Sequence, residues 1–219
     1  MTAFAIKLIA IITMIVDHAG LMFGLHIGFR VVGRLAFPLF VFLIAESCRH
    51  TKSLEKFLLR LGIFALVSEI PFDLAFNESL NFLNNTNIFY TLWLGVFCVY
   101  GFKRLQSRRY LWLLTPLLLL AAMGAAEWLG ADYGGIGVLF IFLTAAASGY
   151  KYAQLLVMAA FCIYLYFPPA PVSMMLAALL TLPIVALANG RRGRAVKWPF
   201  YLIYPGHLLL FALTALVFL

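Results

Sequence analysis

The stretch Ala3-Phe4-Ala5-Ile6-Lys7-Leu8-Ile9-Ala10-Ile11-Ile12-Thr13-Met14-Ile15-Val16-Asp17-His18-Ala19-Gly20-Leu21-Met22-Phe23 decides the fold. It is long enough to cross roughly 30 Å of hydrocarbon as a helix. It is also too long for the apolar region of a signal peptide, and it carries Asp17 and His18 where a small-residue cleavage site would stand. Residues 3–23 therefore read as a retained first span. Ionisable side chains at membrane depth cost roughly 2.5–3.5 kcal/mol each, so two adjacent ones mark a place to look for chemistry.

The rest of the 219 residues follows the same pattern. Hydrophobic residues make up 65% and charged residues only 11%, with a mean hydropathy of +1.02. Such a composition excludes a soluble globule with a polar surface and predicts an all-α, polytopic transmembrane helix bundle in a single domain. Apolar runs of spanning length fall at about 3–23, 30–48, 55–76, 87–102, 110–129, 134–149, 151–167, 172–189 and 199–218, nine in all. The pair 134–149 and 151–167 is joined by only a few residues, and one interrupted span there would reduce the count to eight. Cys48, Cys98 and Cys162 lie in apolar runs with neither a C-x-x-C nor a metal-ligand spacing, and read as buried thiols.

Loop charge gives an independent test. Arg49, Lys52, Lys56 and Arg60 lie between spans two and three; Lys103, Arg104, Arg108 and Arg109 between four and five; Lys151 between six and seven; and Arg191, Arg192, Arg194 and Lys197 between eight and nine. The alternate loops, 77–87 with Glu78, 127–133 with Asp132, and the Pro-rich 167–172, hold no Lys or Arg. The expected orientation has the amino terminus and Lys7 in the cytoplasm and the carboxyl terminus outside. This distribution accounts for the net charge of +8 and argues against nucleic-acid binding.

At a rise of about 1.5 Å per residue, Asp17, His18, Arg34, Glu69 and Asp73 converge on the outward half of the bundle. Glu69 and Asp73, four apart, share a helix face, which Pro71 is expected to kink open. Glu46, Arg49 and His50 sit at the inner end of span two, where they also read as ordinary boundary residues. His207 lies midway along the last span, where Tyr204, Pro205 and Gly206 are expected to break the helix and line a cavity.

Several of these segments resemble the TraX family. They are Ile6-Lys7-Leu8 through Asp17-His18-Ala19-Gly20, Gly33-Arg34-Leu35-Ala36-Phe37-Pro38 through Glu46, Arg49-His50-Thr51, Ser68-Glu69-Ile70-Pro71-Phe72-Asp73, Asn87-Ile88-Phe89-Tyr90-Thr91-Leu92, and Tyr204-Pro205-Gly206-His207. The middle of the chain, 110–190, matches in hydropathy alone. The resemblance implies an acetyltransferase of the bacterial inner membrane, since the family's name-giving member acetylates the amino terminus of a conjugative pilin subunit. It implies acetyl-CoA as co-substrate, no metal, and an acceptor that is a peptide amine, a sugar or a lipid. It also implies kinship with the wider transmembrane acyltransferases, through a basic residue eleven positions before a His (here Lys7 and His18) and a late Tyr-x-x-His (Tyr204 and His207). Lys7 stands where those relatives more often carry Arg.

The residues accommodate such chemistry. Acyl transfer needs a base near neutral pH, and His18 is the candidate, with His26 in the following loop as its rival. Asp17 is expected either to orient His18 or to pair with Arg34. Arg34 or the Thr91 hydroxyl is expected to stabilise an oxyanion. The basic cytoplasmic loops are expected to receive the phosphates of acetyl-CoA. The competing readings are a small proton- or ion-coupled transporter, in which the same Asp, Glu and His form a relay, and an assembly subunit whose polar residues hold helices together. The oligomeric state is not legible.

Overall fold

A computed structural model describes residues 1–77, 85–167, 170–194 and 198–218. Glu78 and Lys197, named above among the loop charges, lie outside these, as do Pro168 and Pro169. All regular structure among the described residues is helical. The helices are α1 (Ala3–Met22), α2 (Gly28–Gly33), α3 (Ala36–His50), α4 (Leu54–Phe76), α5 (Ile88–Gln106), α6 (Thr115–Trp128, preceded by a 3-10 turn, Leu111–Leu114), α7 (Gly134–Ala146), α8 (Lys151–Leu165), α9 (Val172–Leu179), α10 (Thr181–Ala186) and α11 (Trp198–Phe218).

Every expected span corresponds to one helix or to a consecutive pair. Among the described residues five segments are long and apolar enough to cross a membrane: Ala3–Met22, Gly28–His50, Ile88–Gln106, Leu111–Trp128 and Trp198–Val217. The 23 residues of α4 include Arg60, Glu69 and Asp73, while α7, α8 and the α9–α10 pair are apolar but shorter. Residues 134–167 form two helices. The break is a turn in which Tyr150 N–H donates to Ala147 O and Gly149 takes φ 108°, a conformation open to glycine and costly for other residues.

By its contacts the chain divides into two units, residues 1–43 with 147–219 and residues 44–146, the boundary falling inside α3. In the first, Thr2 caps α1 by accepting from Ala5 N–H. One face of α1 buries Ile6, Ala10 and Met14. Gly20 lets α2 approach, since a Cβ there would meet Phe29 Cβ at 2.5 Å. Cys162, Tyr166 and Ala178 form a small core with Met174 and Met175.

The helices α1 and α11 run parallel. Phe4 meets Phe200 at 5.8 Å, His18 meets Tyr204 and His207, and Phe23 meets Phe211 at 5.5 Å, so the contacts advance in the same direction along both helices. Backbone bonds from Asn189 N–H to Met1 O and from Ala3 N–H to Arg191 O, both 2.9 Å, tie the start of α1 to the basic segment before α11. Contrary to expectation, α11 continues unbroken through Pro205 and Gly206; α4 likewise holds Pro71 within one helix. A proline removes only one donor, a loss that transmembrane helices tolerate when neighbouring groups compensate.

In the second unit α5 lies among α4, α6 and α7. Small residues allow close approach: a Cβ on Gly95 would meet Ile141 Cβ at 2.7 Å, and one on Gly101 would meet Leu118 Cδ2 at 2.4 Å. Thr86 N–H donates to Gly130 O and Asp132 N–H to Thr86 O, pairing two of the loops that lack Lys and Arg. Glu127 caps α7 by accepting from Gly135 N–H at 2.8 Å. At the opposite end Lys103 Nζ donates to Cys48 O at 2.8 Å, a cation on the carbonyl end of α3.

Candidate functional site

Asp17 and His18 are neighbours on α1, about 100° apart around the helix, and each reaches a different helix. Asp17 turns to α2. Its Oδ2 lies 2.7 Å from Arg30 Nη1 and its Oδ1 2.6 Å from Arg34 Nη2. Arg34 Nε also donates to Arg30 O at 2.9 Å, and its guanidinium stands 5.6 Å over the Tyr166 ring. One carboxylate between two guanidinium groups leaves a net positive charge. Both arginines are within electrostatic reach of the His18 ring. Of the two roles expected for Asp17, the structure shows the pairing with Arg34. Arg30 was not anticipated, although its spacing of four from Arg34 was a readable signal.

His18 turns to α11. Its Nδ1 lies 2.7 Å from His207 Nε2. The ring planes are within 5° of parallel and their centroids are 5.0 Å apart. The centroid separation exceeds the nitrogen separation by about a ring diameter, so the rings meet edge to edge in one plane. Tyr204 packs edge-on against both, at 6.0 and 5.7 Å, and Phe211 against His207 at 5.6 Å. His207 is 8% exposed and Tyr204 4%.

The hydrogen bonds fix the tautomers of the neutral pair. His207 Nδ1 lies 2.7 Å from Ile203 O, and a carbonyl only accepts, so His207 Nδ1 carries its proton. His207 Nε2 is then the acceptor, and His18 Nδ1 must donate to it. The basic nitrogen of His18 is consequently Nε2.

The remaining residues fall into separate groups. Lys7, eleven residues before His18 and so about 16 Å away on nearly the same face of α1, holds its Nζ 4.6 Å from the Phe200 centroid and feels the charge of Arg192. His26 is exposed and its Nδ1 accepts from Gly28 N–H at 3.1 Å. In the second unit Glu46 pairs with His50 at 3.3 Å, and Arg49 is exposed. The Thr91 hydroxyl donates to Asp132 O, which commits its one proton and leaves none for an oxyanion.

Glu69 and Asp73 are 0% and 1% exposed. Glu69 Oε2 accepts from Asn87 N–H at 3.2 Å and from Asn87 Nδ2, while Asn87 Nδ2 also donates to Ala65 O at 2.8 Å. Asp73 Oδ1 accepts from Asn77 Nδ2 at 2.6 Å. Glu69 Oε1 has no partner among the described residues, and neither do the buried hydroxyls of Ser68 and Thr86. An orphaned buried polar group costs about 1–3 kcal/mol, more if charged. Among the described residues no cluster of His, Cys, Asp and Glu is arranged to hold a metal ion.

The apolar helices and the buried ionisable clusters within each unit define a helical protein of membrane type. The sequence profile described as TraX protein matches residues 3–215, and the chain belongs to the TraX family. It is 30% identical to a probable fimbrial assembly protein FimC, serogroup H1, of Dichelobacter nodosus, over 95% of this chain and 93% of that protein. No solved structure matches.

Proposed function

We propose that the protein is a multi-pass acetyltransferase of the inner membrane that moves an acetyl group from cytoplasmic acetyl-CoA to an amine or hydroxyl, with His18 as general base. The observation that carries this reading is the edge-to-edge pair of His18 and His207, which directs the basic lone pair of His18 to Nε2. As the acceptor's nitrogen or oxygen bonds to the acyl carbon, His18 Nε2 takes its proton. The carbon–sulfur bond then breaks with its electron pair going to sulfur, and the leaving thiolate recovers that proton from Nε2. His207 receives the Nδ1–H of His18 throughout and keeps the ring in one tautomer. A positioned base of this kind is worth about 10²–10⁴ in rate.

Arg30 and Arg34, with one positive charge beyond what Asp17 neutralises, are suited to stabilise the charge that develops on the acyl oxygen. Lys7, Arg191 and Arg192 at the far end of α1 would hold the phosphates of the nucleotide. The parallel course of α1 and α11 supports an odd number of crossings. The bonds between α1 and residues 189–191 support a common side for Lys7 and the last basic loop. Together with the loop charges they favour nine spans with the amino terminus in the cytoplasm. The fimbrial name of the Dichelobacter relative favours a pilin-like amino terminus as acceptor.

The test is saturable acetyl-CoA binding and release of free CoA by purified protein in nanodiscs, wild type against His18→Ala. Release that depends on His18 supports the reading. A folded protein that binds no acetyl-CoA overturns it and directs attention to ion flux.

A further inference from the structure

Residues 1–43 and 147–219, which form one compact unit, hold eight Lys and Arg but a single carboxylate side chain, that of Asp17. The unit thus has no second carboxylate side chain with which to balance the Arg30–Asp17–Arg34 cluster. Arg34 is the more buried arginine, its guanidinium over Tyr166. Arg30 is the more exposed one. Its Nη1 is engaged by Asp17, through Oδ2 at 2.7 Å and the backbone oxygen at 3.4 Å. Its Nε and Nη2, which form the free edge of the guanidinium, donate to no described residue.

An apolar groove begins at the next residue. Val31 lines an open groove of about 470 Å³ together with Ser173, Leu176, Ala177 and Leu179 of α9 and Leu180 beyond it. Leu176 and Leu180 are more than half exposed. The charged cluster and the groove share a wall, because the Tyr166 ring under Arg34 packs on Ala178, which lies between the groove residues Ala177 and Leu179. From Ser173 to Leu180 the groove follows α9 for about 10 Å. Lipid tails are as apolar as leucine, so such a groove supplies shape and the headgroup must supply affinity. Basic pockets between helices bind anionic headgroups, and the guanidinium fork matches two phosphate oxygens.

We propose that Arg30 and the groove between α2 and α9 form a site for an anionic phospholipid, with the phosphate on Nε and Nη2 of Arg30 and one acyl chain along Val31, Leu176 and Leu180. An amphiphile fits better than a free anion because the charge and the groove adjoin at consecutive residues, Arg30 and Val31. The occupied site leaves Arg34 as the guanidinium for the acyl oxygen in the transferase reading, on which this assignment does not otherwise depend.

The experiment follows the melting temperature of the full chain in a neutral detergent as phosphatidylglycerol is added, with phosphatidylcholine and inorganic phosphate at equal concentration as the other arms. Wild type is compared with R30Q, with L176W, which fills the groove and leaves every charge in place, and with K52Q, which removes a positive charge from a loop outside this unit. Expected is a saturable rise with phosphatidylglycerol alone, with a concentration for half-effect at least ten-fold higher in R30Q and L176W and unchanged in K52Q. A rise of equal size with inorganic phosphate or phosphatidylcholine, an equal loss in K52Q, or a wild-type response in folded L176W overturns the proposal. Should R30Q not fold, L176W decides it alone. No acetyl-CoA is present, so this result stands apart from whether His18-dependent release of CoA is found.

Discussion

Gly33 lies against Asp17 so closely that a Cβ on it would sit 2.0 Å from Asp17 Oδ1 and 2.3 Å from Asp17 Cβ. The glycine is thus a condition of the Asp17–Arg34 pair. Gly33→Ala must push the carboxylate off its arginines or α2 off α1. Overpacking of this kind costs about 1–3 kcal/mol. Thermal unfolding should show a lower melting temperature for Gly33→Ala, and an unchanged one would mean that α2 yields freely.

Asp17→Asn removes the one anion between two guanidinium groups. Breaking such a pair costs about 3–5 kcal/mol when it is fully buried, and the partial exposure of Arg30, at 25%, reduces that. The variant should fold with reduced stability and lose most transfer activity, whereas an assembly subunit would tolerate it. Complementation of the function together with CoA release checks both.

His18→Ala should abolish transfer while the protein still inserts and purifies normally. His26→Ala should leave most activity, because His26 is exposed and bonds only within its own turn. Full turnover by a folded His18→Ala protein would move the base elsewhere.

On the transferase reading, His207 acts through His18 as a positioning residue. His207→Ala should lower kcat about 10–100-fold, short of the loss expected for the base itself, with KM for acetyl-CoA unchanged. His207→Gln, whose amide oxygen can accept from His18 Nδ1, should recover part of that. Equal damage by both variants would indicate packing alone.

For the topology, single cysteines at Lys52 and Ala170 should be distinguished by a membrane-impermeant maleimide applied from outside. Only the Ala170 position is expected to react. The native cysteines, at most 2% exposed, should stay silent.

The run of helices was legible because most lie in largely apolar stretches, and residues 134–167 were ambiguous because a helix and a break differ there by one glycine. The ionisable residues of each buried cluster were legible as residue types. Of the pairings, only that of Asp17 with Arg34 was among the alternatives the sequence offered. Asp17 and His18 are adjacent, which suggested that they serve each other, yet a turn of 100° sends one to α2 and the other to α11. Arg30, the first residue of the second apolar run, was passed over although its spacing of four from Arg34 put both on one helix face. Thr91 looked like a donor aimed at substrate, and only the approach of residue 132 showed its proton already in use. The partnership of His18 with His207 spans 189 positions, beyond any local pattern.

That separation fixes the order of events during biosynthesis. His18 is made with α1 and remains without its aligning ring until α11 has been translated and has packed alongside it. On the transferase reading proposed above, a chain lacking α11 carries a base whose tautomer is not set, and competence waits for α11 to pack beside α1.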